Sequence, residues 1–280
     1  MIFDLKKNWN GPTYPLYPII AFDTETSGQY PIESEIIELG AVKWFDGKIV
    51  DRFQTLLKPS RPLEKENIRI HGITNEMVAD APKMQDKILS FCEFIDGSIL
   101  IAHHAPSDLG FLTLDIEKSG LRFPSTIQLC TSLLSRALLT TTNHKLQTLI
   151  KELNLIGGDA HRAYDDAYAC LQVFFRCLDK MNSPITLEKL LSIQKKQIAW
   201  NKYQIWTSEQ NHLIMLAEAA RDQRSVQISY KGGQTRDVMR PIQPIGIVRN
   251  PDGDYVAAIC GIDHQKKRFY IDKIAKVATI

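Results

Sequence analysis

Four apolar residues, Ile19, Ile20, Ala21 and Phe22, run straight into Asp23, Thr24 and Glu25 before Gly28 breaks the segment. An apolar run that ends on carboxylates and a glycine predicts a buried strand followed by a turn. Residues two apart on a strand leave the same face, so Asp23 and Glu25 stand side by side at the end of buried backbone. Two anions there repel and lose hydration, and a proton or a cation must offset both costs. Carboxylate oxygens suit a hard divalent ion such as Mg²⁺ or Mn²⁺. Taken by itself, a bare Asp-x-Glu reads first as a solvated strand end.

The surroundings carry the argument further. SEIIELGAVKWFDG and KIVDRFQTLLKP predict two more strands joined at Asp46-Gly47, a hairpin signal. After Pro62 the pattern turns helical, through TNEMVADAP and then MQDKILSFCEFIDG, which Gly97 stops. SILIAHHAPSD is a further apolar strand that delivers Asp108 at its polar end, where a helix through LGFLTLDIEKSG begins. In isolation Asp108 reads as a helix N-cap. HKLQTLIKELNLIG and HRAYDDAYACLQVFFRCLDKM add two amphipathic helices, the second placing His161 five residues before Asp166. Alternating strands and helices predict an α/β layer fold with a mixed central sheet flanked by helices.

The carboxyl-terminal part changes character. TLEKLLSIQKKQIAWNKYQIW is polar and poor in glycine, which predicts a semi-rigid helical connector. Beyond it come one helix, SEQNHLIMLAEAARDQ, and the strand runs SVQISY, DYVAAICGID and KRFYIDKIAKVATI, separated by Gly232-Gly233 and Asn250-Pro251-Asp252-Gly253. The expected division is residues 1–182 for the first domain, 183–207 for the connector and 208–280 for a small β-rich module. Net charge is +2, yet from Arg221 to Ile280 there are 11 Lys/Arg against 6 Asp/Glu, so the tail is basic and the front mildly acidic.

With 44% apolar and 24% charged residues among 280, the composition is that of an ordinary soluble protein and excludes disordered, collagen-like and disulfide-scaffold classes. The 5 cysteines are odd in number, scattered and without a CxxC pair, which fits a reducing, cytoplasmic compartment. Gly11, Pro12, Pro15 and Pro18 interrupt the opening MIFDLKKNWNGPTYPLYPII, so neither a signal peptide nor a membrane span is expected there.

Three segments in this order resemble the three exonuclease motifs of the DEDDh (DnaQ-like) 3′→5′ exonucleases: FDTETSG, AHHAPSDLGFL and HRAYDDA, the last matching HxAxxDA. The resemblance extends from about Ile19 to Met181 and implies a ribonuclease H-like fold. It also implies catalytic roles for Asp23, Glu25, Asp108, His161 and Asp166, the four carboxylates holding two divalent ions, Mg²⁺ or Mn²⁺, while His161 takes a proton from the attacking water. Asp23 would bridge both ions, Glu25 and Asp166 would complete the first site, and Asp108 would hold the second. Asp165, turned about 100° away on a helix, is not expected to be a ligand. Thr24, Thr26 and His104 are candidate contacts to the terminal nucleotide, and His71 and His103 read as structural. Where the family commonly has Asn after the first His of the second motif and an aromatic before the Asp, this chain has His104 and Ser107. The implied substrate is single-stranded DNA or RNA with a free 3′ end, with no membrane partner.

In the tail, RPIQPIGIV, DYVAAICGID and KRFYIDKI resemble WYL domains, which implies an SH3/Sm-like barrel that binds nucleic acid or a nucleotide-like ligand. Arg240, Tyr255, Arg268 and Phe269 are the candidates, Arg for phosphate and the rings for a base. The alternatives are a proofreading subunit of a DNA polymerase and a non-catalytic nucleic-acid-binding regulator that retains the fold. Loss of a carboxylate would mark the latter, and none is lost.

Overall fold

The computed structural model describes residues 17–182, 185–232 and 238–280. The opening segment read for a leader, Ser183 and Pro184 at the start of the connector, and Gly233 lie outside the described residues. The chain divides into two compact units, one gathering the segments up to Ser27, Ile36–Asp108 and Leu121–Ala199, the other Gly28–Glu35, Leu109–Gly120 and Trp200–Ile280.

The first unit is built on strands β1 (Ile19–Thr26), β2 (Ile36–Phe45), β3 (Lys48–Leu56), β4 (Ile99–Ala102) and β5 (Ile127–Cys130), in the order β3-β2-β1-β4-β5. β1, β2 and β3 pair antiparallel, while β1–β4 and β4–β5 are parallel, so the sheet is mixed as expected. The β2–β3 hairpin turns at Asp46 and Gly47, whose φ of 47° and 85° are the left-handed pair that a tight hairpin requires. Helices α1 (Lys65–His71), α2 (Asn75–Val78) and α3 (Met84–Ile95) follow β3, and α4 (Pro106–Lys118), which follows β4, belongs to the second unit from Leu109 onward. Then come α5 (Thr131–Leu138), α6 (Leu146–Glu152), α7 (Ala163–Leu178) and α8 (Leu187–Gln194).

α7 is the central helix of this unit. Its buried residues Cys170, Leu171, Phe174, Cys177 and Leu178 fall at helical spacing and share a core with Ile19, Ala21, Val42 and Trp44 of the sheet. Its first turn lies directly on β2 at Gly40, where a Cβ would come within 2.2 Å of the Tyr164 backbone nitrogen. No residue with a side chain fits there without moving α7.

Two stretches depart from the sequence expectation. β5 and α5 occupy a region between Leu121 and Asn143 whose apolar run, Ile127–Cys130, is too short to declare a strand by period alone. The predicted helical connector is α-helical only over α8, which stops at Lys195 with a φ of 59°, and adds a single 3-10 turn at Trp200–Lys202. The rest of it is folded chain, with Ile198, Trp200, Tyr203 and Ile205 buried. Apolar residues interleaved among its lysines were the sign that it packs.

The second unit carries α9 (Asn211–Arg221) and strands β6 (Val226–Tyr230), β7 (Met239–Val248), β8 (Tyr255–Cys260), β9 (Lys266–Tyr270) and β10 (Ile274–Thr279). All pairings are antiparallel in the order β10-β6-β7-β8-β9, and Leu213, Leu216 and Ala217 of α9 share a core with Val226, Ile228, Val256 and Phe269. Among the described residues β9 and β10 end the sheet and do not pair with each other, so strand pairing does not close the expected SH3/Sm-like barrel there.

Candidate active site

β1 passes from fully buried at Ile19–Phe22 to half-buried at Asp23–Thr26, which sets Asp23 and Glu25 at the polar end of buried backbone. Asp108 comes from the first turn of α4 and Asp166 from the first turn of α7, and both are buried. Thr24, between the two β1 carboxylates, holds Asp108: its backbone N–H and its hydroxyl donate to Asp108 Oδ1 at 3.1 and 2.8 Å. Asp166 accepts from Gln147 Nε2 of α6 at 3.2 Å and from the His161 backbone N–H at 3.3 Å. One ligand atom from each of Glu25, His161 and Asp166 lies within 4.8 Å of the others. The five sequence-predicted residues therefore come together from three segments, β1, the first turn of α4, and the start of α7 with the turn before it.

The carboxyl groups bear the cost of this crowding. Burial, then repulsion from Asp108, Glu25 and Asp166, lifts Asp23 well above the usual carboxylate range. Burial, then Asp166, Glu38 and Asp108, pushes Glu25 up to about 8. Asp108 is raised to about 7 by burial, against the hydrogen bonds from Thr24, and burial also raises Asp166. Such groups bind protons, or a cation in their place. Four carboxylates with an imidazole at their edge make a donor set that fits a hard divalent ion.

His161 is exposed and sits on a turn with a φ of 61°, left-handed backbone that disfavours a side chain. Before it, the Asp159 N–H donates to Asp165 Oδ2 at 3.0 Å, so Asp165 is engaged with the loop. After it, Arg162 and the Ala163 N–H bind Glu38, a fully buried residue of β2 paired across the ladder with Glu25. Sequence reasoning missed Glu38, Arg162 and Gln147. A signal for the first was available: one charge in the otherwise apolar run IIELGAV must have a partner.

The remaining candidates separate clearly. His71 Nδ1 accepts from the Ile73 N–H at 3.0 Å. His103 Nε2 meets the His144 carbonyl at 3.0 Å, Nδ1 meets Thr131 Oγ1 at 2.9 Å, and burial lowers the ring to about 4, so it is neutral and structural. His104 is exposed, with a φ of 68°. Thr26 is half-buried at the end of β1.

A family model described as Exonuclease matches residues 20–174. The chain belongs to the exonuclease family. A second model, described as WYL domain, matches residues 211–279. The DNA polymerase III PolC-type of Thermotoga petrophila is 38% identical over 176 residues, 62% of this chain and 13% of that relative. Its counterpart in Bacillus subtilis is 36% identical over 165 residues, 57% of this chain and 11% of that relative. The chain thus spans a small fraction of the curated relatives it matches. Two solved structures share the fold. The nuclease domain of 3′hExo, a DEDDh family member, bound to rAMP, has a TM-score of 0.51 and 20% identity, covering 60% of this chain and 94% of that one. E. coli Exonuclease I in complex with a dT13 oligonucleotide has a TM-score of 0.54 and 12% identity, covering 94% and 66%.

The Exonuclease match of the chain lies mostly in its first unit. In its second unit, Arg268 lies 5.0 Å from the Tyr255 ring, Lys266 4.6 Å from the Tyr30 ring and Lys273 5.3 Å from the Tyr270 ring. Tyr255 and Tyr270 meet edge to face. Phe269, a predicted stacking face, is 2% exposed and belongs to the core, with Arg240 5.9 Å from its ring. Among the described residues, no helix is long and apolar enough to cross a membrane, and all five cysteines are free and buried.

Proposed function

We propose that this protein is a 3′→5′ exonuclease that hydrolyses phosphodiester bonds of single-stranded DNA or RNA from the 3′ end and releases nucleoside 5′-monophosphates. The observation that carries this reading is the convergence of Glu25, His161 and Asp166 within 4.8 Å of one another, beside the buried Asp23 and Asp108. Asp23, Glu25, Asp108 and Asp166 would hold two divalent ions, Mg²⁺ or Mn²⁺. When bound, such ions supply positive charge to the attacking and leaving oxygens of an in-line displacement. The chain's own residues do the rest. Thr24 fixes the Asp108 carboxylate through two hydrogen bonds, and Gln147 orients Asp166. His161, at the solvent edge, takes the proton of the attacking water, a role worth about 10²–10⁴-fold in rate. Thr26 and His104 would contact the terminal nucleotide.

The division into a catalytic domain over 1–182, a connector over 183–207 and a module over 208–280 completes the reading. In the module Arg240, Tyr255 and Arg268 would bind nucleic acid or a nucleotide-like ligand, with an SH3/Sm-like barrel as the proposed architecture. The test is hydrolysis of 3′- and 5′-labelled DNA and RNA strands with Mg²⁺ or Mn²⁺, comparing the unmodified chain with Asp23→Ala and His161→Ala. Failure to shorten strands from the 3′ end would sink the reading.

A second reading rests on the PolC-type polymerases, of which the Thermotoga petrophila relative is 38% identical over 176 residues. In it the same hydrolysis proofreads for a polymerase. Faster removal of a mismatched than a matched 3′ terminus, with copurification of a polymerase, would favour it.

A further inference from the structure

Glu38 is a fifth acidic side chain beside the cluster, and its surroundings differ from those of the other four. It is fully buried and stands opposite Glu25 in the β1–β2 ladder. Arg162 Nη2 donates to Oε1 at 2.8 Å, while Arg162 Nε and the Ala163 N–H donate to Oε2 at 3.1 and 3.0 Å. With three donors on its two oxygens, Glu38 is turned toward the protein.

What it holds is the chain on the carboxyl side of His161. Arg162 and Ala163 follow His161 directly, and Ala163 opens α7. The Ala163 N–H is one of the groups that a helix start leaves without an internal partner. His161 has left-handed backbone, so local preference does not keep the turn in shape. A bidentate guanidinium–carboxylate fork fixes direction as well as distance, and Gly40, two residues beyond Glu38 on the same strand, lets the first turn of α7 reach the sheet. A buried ion pair is weak as a source of stability, and such pairs often persist because they specify geometry.

We propose that Glu38 and Arg162 are positioning residues for His161. The pair holds the imidazole at the rim of the carboxylate cluster, in register with Glu25 and Asp166, and contacts neither substrate nor metal. The inference rests on the reading of His161 as the base.

The test uses the full chain with two variants. Glu38→Gln combined with Arg162→Met removes both charges at once, so that neither is left buried alone. Arg162→Lys keeps the charge and loses the fork. For each, single-turnover cleavage of a 3′-labelled single strand, KM, Mn²⁺ affinity by calorimetry and Tm are measured, with and without His161→Ala. A misplaced base predicts a rate about 10- to 100-fold lower in the double variant, an intermediate loss in Arg162→Lys, and KM and Mn²⁺ affinity within about 3-fold of the starting chain. On the His161→Ala background the same changes lower the rate by less than about 2-fold, because residues that act through one another are not additive. Equal losses on both backgrounds, a matching loss of Mn²⁺ affinity, or no loss would each overturn the proposal. If the double variant fails to fold, Arg162→Lys decides by the same criteria. A His161→Ala change that leaves the rate intact is a separate result, and it removes the base reading itself.

Discussion

The two units place their charge in opposite ways. In the first, four carboxyl groups are gathered in and beside buried backbone, where burial raises all four and repulsion within the cluster raises Asp23, Glu25 and Asp108 further. In the second, Lys266 and Arg268 of β9 and Lys273 of the turn just after it lie exposed, each beside a tyrosine ring. The first arrangement costs folding free energy, and a chain keeps such a cost where function depends on it. The second costs little, since exposed cations stay hydrated and each ring contact adds only about 0.5–1 kcal/mol. An expensive cluster therefore speaks for function by itself, whereas a cheap basic face is equally compatible with plain surface.

The sharpest way to break this contrast is to neutralise one member of the cluster. Asp23→Asn is expected to lower the cleavage rate by about 10³-fold or more and to raise the Tm of the metal-free chain above neutral pH, because it removes a carboxyl group whose ionisation burial and like neighbours penalise. Labelled-strand hydrolysis and calorimetry check the two halves. A lower Tm would mean that the cluster is not under strain.

A pH series probes the same cost. Glu25 is lifted to about 8 from 4.5 and Asp108 to about 7 from 3.8, so the folded chain holds more protons than the unfolded one between those values. Stability is then fully present below about pH 4 and is lost as pH rises through 7 and 8. The metal-free Tm should fall from pH 5 to pH 8. Mg²⁺ should restore it more at pH 8 than at pH 5, by on the order of 5–10 °C at about 100 times its Kd. A metal-free Tm that is flat or rises over this range contradicts the reading. Thr24→Val is expected to act more gently. It deletes the 2.8 Å hydroxyl bond to Asp108 and leaves the backbone N–H in place, for a rate loss of about 10-fold.

How much of this was legible in the sequence follows from where each signal lies. β1, β4 and α7 declared themselves through apolar runs and helical spacing, and the five site residues through motifs in family order. Glu38 did not, because its partner Arg162 is 124 positions away and reads as an ordinary surface cation. Thr24 was expected at the nucleotide, yet its hydroxyl is directed to Asp108. Phe269 shows a rule left unused: in KKRFY the two-residue period sends Lys266, Arg268 and Tyr270 outward and Phe269 into the core. The open sheet of the second unit depends on strand pairings that no local pattern encodes.

The smallest effect belongs to the basic face, and it decides what that face is for. Arg268 is exposed on β9, so Arg268→Ala should change stability by no more than about 0.5 kcal/mol. If the face tracks a nucleic-acid backbone, the same change should weaken binding of a long single strand by a few fold at low salt, whatever its sequence. It should also lower the slope of log affinity against log salt by about 0.7, the value of one phosphate contact on a single strand. Cleavage of a dinucleotide, too short to reach a second contact surface, should be unaffected. An unchanged salt slope would leave the tyrosine-lined cations as solvated surface, and the contrast between the units would become one between a functional charge cluster and a neutral one.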